Sequence, residues 1–175
     1  MAVGVERIAL CEWEDLAAIV LRPEGLESLN TEFCPLPRRL AVDSTLRDNG
    51  SVLLVGFPVD QTFEVSESRQ PGHVTKLMAC PSDMFWGEIV SRTDRPLSSR
   101  YDAERHLLIR FESSTRGSRP FGYRGAAVWC DPARRGLIWT ANPLFLGIET
   151  DSYESLNLVL AVRASVVRQF LEESL

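Results

Sequence analysis

Short apolar runs separated by turn residues follow one another along most of the chain, a pattern typical of β-strands. In the segment 105–112, Leu107, Ile109 and Phe111 fall on one face of a predicted strand, and His106 falls on the other face, where we expect it to be exposed. Ser51 to Pro58 is an apolar run without alternation, which predicts a strand buried on both faces. The other predicted strands cover 5–10, 15–22, 61–68, 73–79, 84–92, 126–129, 137–140, 144–149 and 156–162, with one more near Leu40.

The end of the chain changes its period from two to that of a helix. Val162, Val166, Phe170 and Leu171 recur at helical spacing with polar residues opposite them, which predicts a terminal amphipathic helix. With 175 residues and a hydrophobic content of 45%, the chain is long enough for one well-buried domain. The pattern therefore predicts an all-β domain that ends in an α-helix.

A glycine-rich turn stands between the predicted strands, where Gly122, Tyr123, Arg124 and Gly125 precede the small residues of the 126–129 strand. Glycines at this spacing predict a sharp bend and a close approach of the backbone to a neighbouring element. Such a turn exposes backbone N–H groups, so it is the first candidate for a binding site.

This turn resembles the nucleophile turn of the trypsin-like serine peptidases, particularly their intracellular and periplasmic bacterial branches, where Gly-x-Ser-Gly-Gly-Pro precedes a Val- or Leu-rich strand. Ser51 to Pro58 is similar to the strand that opens the second barrel of that family, and 144–149 to the Gly-Ile strand after the nucleophile. Asp15, before an apolar run, resembles the orienting aspartate of the family, although an acid at the start of a buried strand is also common without any function. A C-terminal helix after the last barrel strand is another family feature.

The resemblance implies a trypsin-like antiparallel β-barrel fold in which the first barrel is truncated. Residues 1–48 are then a remnant of the first barrel, 49–162 form the second barrel, and 163–175 form the C-terminal helix. Arg124 occupies the position of the nucleophilic serine and has no nucleophilic oxygen. Only Met1 to Glu14 precede Asp15, too few residues for the strands that carry the family's histidine. The resemblance thus implies a pseudo-peptidase without catalytic residues.

The candidate binding residues are Asp15, Gly122, Arg124 and Gly125. Two arrangements are open: the N–H groups of Gly122 and Arg124 form an anion pocket beside the guanidinium, or Arg124 fills the vacated cleft and pairs with Asp15.

An alternative function is a hydrolase with a rebuilt site. It would use a loop serine as nucleophile, His73 or His106 as base, and Asp15 to orient the base. The loop serines are Ser113, Ser114 and Ser118, and Cys130 is no better supported as a nucleophile because buried thiols are usually inert.

The composition of the chain argues against some classes of partner and favours one cellular compartment. The net charge of −5 and pI near 5.1 argue against nucleic acid or an anionic membrane as partner. The four cysteines are widely spaced without a metal-ligand pattern, so neither a metal nor a cofactor is expected. The N-terminus does not resemble a signal peptide, and no apolar run approaches the roughly 20 residues of a membrane span, which favours a cytoplasmic protein.

A truncated first barrel would leave apolar surface uncovered. Trp13, Leu16 and the segment Val5 to Leu10 are the candidates for this exposed surface. The expected cover is a second copy of the chain in a homodimer, or another protein or peptide. The sequence therefore favours a non-catalytic module that binds proteins or peptides.

Overall fold

The computed structural model of the chain describes residues 5–23, 40, 50–56, 63–70, 73–79, 82–91, 101–111, 123–131 and 143–174. Within these ranges the chain forms ten β-strands, one 3₁₀ turn at Glu154–Leu156 and one α-helix, α1, at Ala164–Ser174. The strands are β1 Val5–Cys11, β2 Leu16–Leu21, β3 Ser51–Gly56, β4 Phe63–Gln70, β5 His73–Ala79, β6 Asp83–Val90, β7 His106–Phe111, β8 Ala127–Cys130, β9 Leu144–Tyr153 and β10 Leu158–Arg163.

Six of the strands form a closed antiparallel barrel in the order β10-β7-β6-β3-β8-β9. Strands β1 and β2 form a separate two-stranded sheet, and so do β4 and β5. The predicted all-β barrel with a C-terminal helix is therefore confirmed. The β1–β2 hairpin falls in the segment 1–48 and the barrel strands span 51–163, but the interpretation of this hairpin as the remnant of a lost barrel stays a prediction.

The barrel interior is filled by side chains from all six strands. On β3, Val52 and Leu54 are fully buried and point inward, whereas Leu53 and Val55 are only half-buried on the outer face, so the prediction of burial on both faces of this strand is wrong for the outer one. Phe85 packs its ring edge-to-face against both Phe111 and Tyr123. The interior cluster comprises Val52, Leu54, Phe85, Ile89, Leu107, Ile109, Phe111, Tyr123, Ala126, Val128, Leu146, Val159 and Ala161.

The helix α1 lies on the outside of the barrel, as the amphipathic pattern predicts. Val166 and Val167 are buried, whereas Arg168 and Glu172 are exposed and form an ion pair with a distance of 3.9 Å between Nε and Oε1. Val162, which the pattern assigns to the helix, is the last buried residue of β10. Around it a second apolar cluster joins the helix to the barrel and to the β1–β2 hairpin through Leu16, Phe145, Val162, Ala164, Val166 and Val167.

Strand β7 is buried on both faces over most of its length. Leu108 points away from the interior and packs with Val90, Leu158 and Leu160 beneath Tyr101. His106 is on the same outer face and is also buried, so the prediction that it is exposed is wrong. The alternation of apolar and polar residues located the two faces of this strand, but it did not reveal that other parts of the chain cover the outer one.

Two predicted strands cannot be compared with the structure in full. The segment 137–140 lies outside the described residues. Leu40 forms an isolated parallel bridge with Phe145, and its neighbours in the chain also lie outside the described residues.

Candidate functional site

The glycine-rich stretch forms the sharp turn that its sequence predicts. The Ala126 N–H donates to the Tyr123 carbonyl oxygen at 2.8 Å, which closes a four-residue turn, and Gly125 has φ +88° at its third position. A positive φ at that position is the mark of a type II turn and favours glycine. Gly122, the first candidate binding residue of this stretch, lies outside the described residues.

This turn contacts β9 through its backbone and β3 through the side chains of Tyr123 and Ala126. The Gly125 N–H donates to the Glu149 carbonyl oxygen at 2.8 Å, and the Glu149 N–H donates to the Ala126 carbonyl oxygen at 2.9 Å. On the other side, a Cβ on Gly56 would lie 2.7 Å from the Ala126 Cβ and 2.9 Å from Tyr123 Cδ1. The prediction of a close approach is therefore wrong for Gly125, where a Cβ would meet no atom within 4 Å, and the close approach lies instead between Gly56 and Ala126. The Gly125 N–H is bonded within the fold, so its contribution is to the shape of the turn.

Arg124 projects from the turn and pairs with an aspartate on β9. Its Nη2 donates to Asp151 Oδ1 at 3.1 Å, and 67% of the arginine side chain is exposed. The prediction that Arg124 pairs with Asp15 is wrong. Asp15 belongs to the β1–β2 turn, where it is exposed and has φ 54°. Asp151 lies on β9, two residues after the residue that hydrogen-bonds to the turn, and is therefore within reach of the guanidinium.

Glu149, beneath this ion pair, was not singled out by the sequence. Its side chain is 1% exposed, and among the described residues neither carboxyl oxygen has a hydrogen-bond partner. Its register partner is Ala161, a residue of the interior cluster, which places Glu149 on the interior face of the barrel. Burial raises the pKa of Glu149 to about 8; Arg124 lowers this pKa and Asp151 raises it, both by smaller amounts. The carboxyl group is therefore mainly protonated at neutral pH.

A second buried acid anchors the β1–β2 turn to the barrel. Glu14 is 3% exposed, its Oε1 accepts a hydrogen bond from Arg105 Nε, and its Oε2 lies 3.2 Å from His106 Nε2. The other ring nitrogen of His106, Nδ1, lies 3.1 Å from both the N–H and the carbonyl oxygen of Asp102. The Nδ1 atom is thus hydrogen-bonded, whereas Nε2 lies within ion-pair distance of Glu14 Oε2 without a hydrogen bond to it. The β1–β2 turn covers the end of β7. The acidic run Glu12, Glu14, Asp15 gave no indication that its middle member is the buried one.

Most groups of the alternative hydrolase site lie outside the described residues, so this alternative stays a prediction. His106 is held by Glu14 and Asp102. The three loop serines lie outside the described residues, as does the side chain of His73. Burial, with a smaller contribution from Asp131, raises the pKa of Cys130 to about 11, so its sulfur is a thiol at neutral pH and a poor nucleophile.

The β1–β2 hairpin has one apolar face that the fold leaves open. Opposite residues of antiparallel strands share a face, and the pairs Val5–Leu21, Ile8–Ile19 and Leu10–Ala17 lie on the side away from the barrel. We call these six residues the hairpin face. Five of them are exposed and none is charged, with exposed fractions of 57% for Ile8, 69% for Leu10 and 59% for Ile19. Trp13 in the adjoining turn is 87% exposed.

The opposite side of the same hairpin packs on the molecule. Leu16 is buried and Cys11 is half-buried in the cluster that contains α1, and Ala9 and Ala18 are also half-buried. The prediction of exposed apolar surface is therefore confirmed for Trp13 and the large apolar residues of 5–10, and wrong for Leu16. Leu16 alternates with Ala17, so the period of two places it on the packed face.

Among the residues described, no group of three or more His, Cys, Asp or Glu side chains is arranged to hold a metal ion. In the same ranges, no helix has the length and apolar character needed to cross a bilayer. A scan of the chain against protein-family models finds no match, and a search of the curated proteins finds none either.

Proposed function

We propose that the chain is a non-catalytic protein-binding module with a trypsin-like fold, and that it associates with a second copy of itself through the hairpin face. The observation that carries the proposal is the continuous apolar surface formed by the hairpin face and Trp13. Among the described residues, eight large hydrophobic side chains are exposed, and five of them belong to this surface: Val5, Ile8, Leu10, Trp13 and Ile19.

The size of the surface suits association. At their observed exposed fractions these five residues present on the order of 600 Å² of mostly apolar surface, the upper end of the range for the largest patch on a monomer. A standard interface takes about 800 Å² from each partner. Polar residues at the rim of the hairpin can supply the remainder, so two copies can form an interface of ordinary size.

The turn at Arg124 supports the non-catalytic part of the proposal. The residue at the position that the resemblance assigns to the nucleophile is a guanidinium paired with Asp151. His106, whose side chain is described, has Nδ1 hydrogen-bonded to Asp102 and Nε2 3.2 Å from Glu14 Oε2. The closed barrel and the following helix are the arrangement that the resemblance implies for the second half of the chain.

Sedimentation velocity over a wide concentration range tests the association. We expect a concentration-dependent dimer that Leu10→Asp abolishes, because a charge on the hairpin face must be desolvated in the interface. Val65→Asp is the matched control, since Val65 is also exposed, at 54%, but lies on the β4–β5 hairpin; this variant should dimerise as the parent does. A strict monomer at high concentration, or equal effects of the two variants, would overturn the proposal.

The non-catalytic part has its own test. The purified protein should not react with a broad serine-directed probe, because labelling needs an activated hydroxyl. Stoichiometric labelling of the native protein that is lost on heat denaturation would contradict this part of the proposal. The association would be unaffected by that result.

A further inference from the structure

We infer that the two copies stack their hairpin faces about a two-fold axis that lies between the faces, parallel to them and perpendicular to the strands, so that the turn end of each hairpin meets the open end of the other. This inference rests on the proposed function, because it specifies how the same face is occupied. The turn end is the segment 12–15, and the open end is formed by Val5 to Arg7 together with Leu21 and Arg22.

The two ends of the hairpin differ in charge. At the turn end, Glu12 and Asp15 are exposed, whereas Glu14 is paired within the chain with Arg105 and His106. The turn end therefore presents two acids to a partner.

The charged residues that the structure describes at the open end have a net positive charge. Glu6 and Arg7 are adjacent and offset each other in charge, and Arg22 is exposed at the end of β2. Stacking with the two hairpins pointing the same way would bring like ends together, whereas stacking with the hairpins pointing in opposite directions brings Arg22 of each copy towards Glu12 and Asp15 of the other. Complementary charges at a rim set the orientation of association more than its strength.

The apolar residues suit the same arrangement. A two-fold contact uses the same patch on both copies, and the pair Ile8–Ile19 lies at the middle of the hairpin face, where it would meet its own equivalent. Trp13 extends from the turn end and would cover the Val5–Leu21 pair at the open end of the second copy. Stacked sheets pack about 10 Å apart with their strands within about 30° of each other, so a face with no charged residue can pack closely.

Charge exchange between the ends tests the orientation. The first variant is Arg22→Glu, and the second combines Glu12→Arg with Asp15→Asn, because asparagine tolerates the φ of 54° at that residue better than arginine does. Each variant alone should raise the Kd of the homodimer about tenfold or more, because the ends then repel. An equimolar mixture of the two should form a heterodimer with a Kd close to that of the parent, since both contacts then join opposite charges. Glu172→Arg on α1 is the control and should leave the Kd unchanged.

The outcomes separate this inference from the proposed function. If the parent dimerises and Leu10→Asp abolishes the dimer, but the mixture of charge variants is no tighter than either variant alone, the opposite orientation of the two hairpins is refuted and association through the hairpin face stands. If the parent is a monomer, the proposed function itself fails. Recovery of affinity in the mixture, and in a single chain that carries all three substitutions, would establish the orientation.

Discussion

The Oε2 atom of Glu14 lies 3.2 Å from Nε2 of His106, and this contact joins the turn of the β1–β2 hairpin to strand β7 of the barrel. Glu14 also accepts a hydrogen bond from Arg105 Nε. The hairpin face is therefore held on the molecule by a buried ionic cluster on one side of the turn and by Leu16 in the helix cluster on the other.

Replacement of Glu14 should loosen this attachment. We expect Glu14→Gln to lower the free energy of unfolding by about 2–4 kcal/mol, because it leaves His106 and Arg105 without their buried anion. Amide hydrogen exchange should accelerate in β1 and β2 more than in the barrel strands. Glu12→Gln in the same turn is the matched control and should change stability by less than about 0.5 kcal/mol. Equal losses in the two variants would show that the cluster does not hold the hairpin.

Glu149 should make stability fall as the pH rises. Its pKa is raised from 4.5 to about 8 on folding, so the unfolded chain ionises first and the folded state is favoured most below pH 4.5. Between pH 4.5 and 8 this group should reduce the free energy of unfolding with a slope of up to about 1.4 kcal/mol per pH unit, on the order of 3–5 kcal/mol in total.

Glu149→Gln should remove that slope. Denaturant titrations of the parent and the variant at several pH values measure the difference. The free energy of unfolding of the variant should increase relative to that of the parent as the pH rises to 8. Asp151→Asn keeps the buried carboxyl group and serves as the control, which should retain most of the slope. Parallel pH profiles for the parent and Glu149→Gln would mean that the buried carboxyl group is ionised at neutral pH.

Restoring a serine at the turn should not create a peptidase. Arg124→Ser should remain unreactive to a serine-directed probe, because activation of the hydroxyl needs a base, and the ring of His106 is instead held between Asp102 and Glu14. Its stability should change by less than about 1 kcal/mol, since the Arg124–Asp151 pair is largely exposed. Specific labelling of residue 124 in the folded variant would show that a base lies beside the turn.

Three substitutions, two at the turn and one at Gly56 on the neighbouring strand β3, should separate backbone strain from lack of space. A Cβ on Gly125 would meet no atom within 4 Å, so Gly125→Ala should cost about 1–2 kcal/mol through its φ of +88° alone. Gly125→Asn should cost less, because asparagine tolerates positive φ better than alanine. Gly56→Ala should cost more than either, since its Cβ would overlap Ala126 and Tyr123. Thermal unfolding measures all three, and a larger loss for Gly125→Ala than for Gly56→Ala would contradict the assignment.

Local patterns in the sequence predicted much of the fold because strands and the helix each bury one face. The alternation of Leu107, Ile109 and Phe111 located the interior face of β7, and the Gly122–Gly125 spacing located the sharp turn. The partners of polar residues were not predictable in the same way. Arg124 pairs with Asp151 rather than Asp15, and His106 is buried by Glu14, because these contacts depend on which elements the barrel brings together across the chain. From the sequence, Glu149 was interpreted only as the last residue of a strand. Its register with Ala161 places it on the interior face of the barrel.

Closure of the barrel also determines where extra strands can be added to this domain. In a closed sheet every strand has a neighbour on each side, so the barrel offers no row of unpaired backbone groups to a foreign segment. Of the strands that the structure describes, the four in the two hairpins have only one sheet neighbour each. Strand addition, domain swapping and amyloid-like growth should therefore start at the hairpins, and engineering against aggregation should begin with their outer edges.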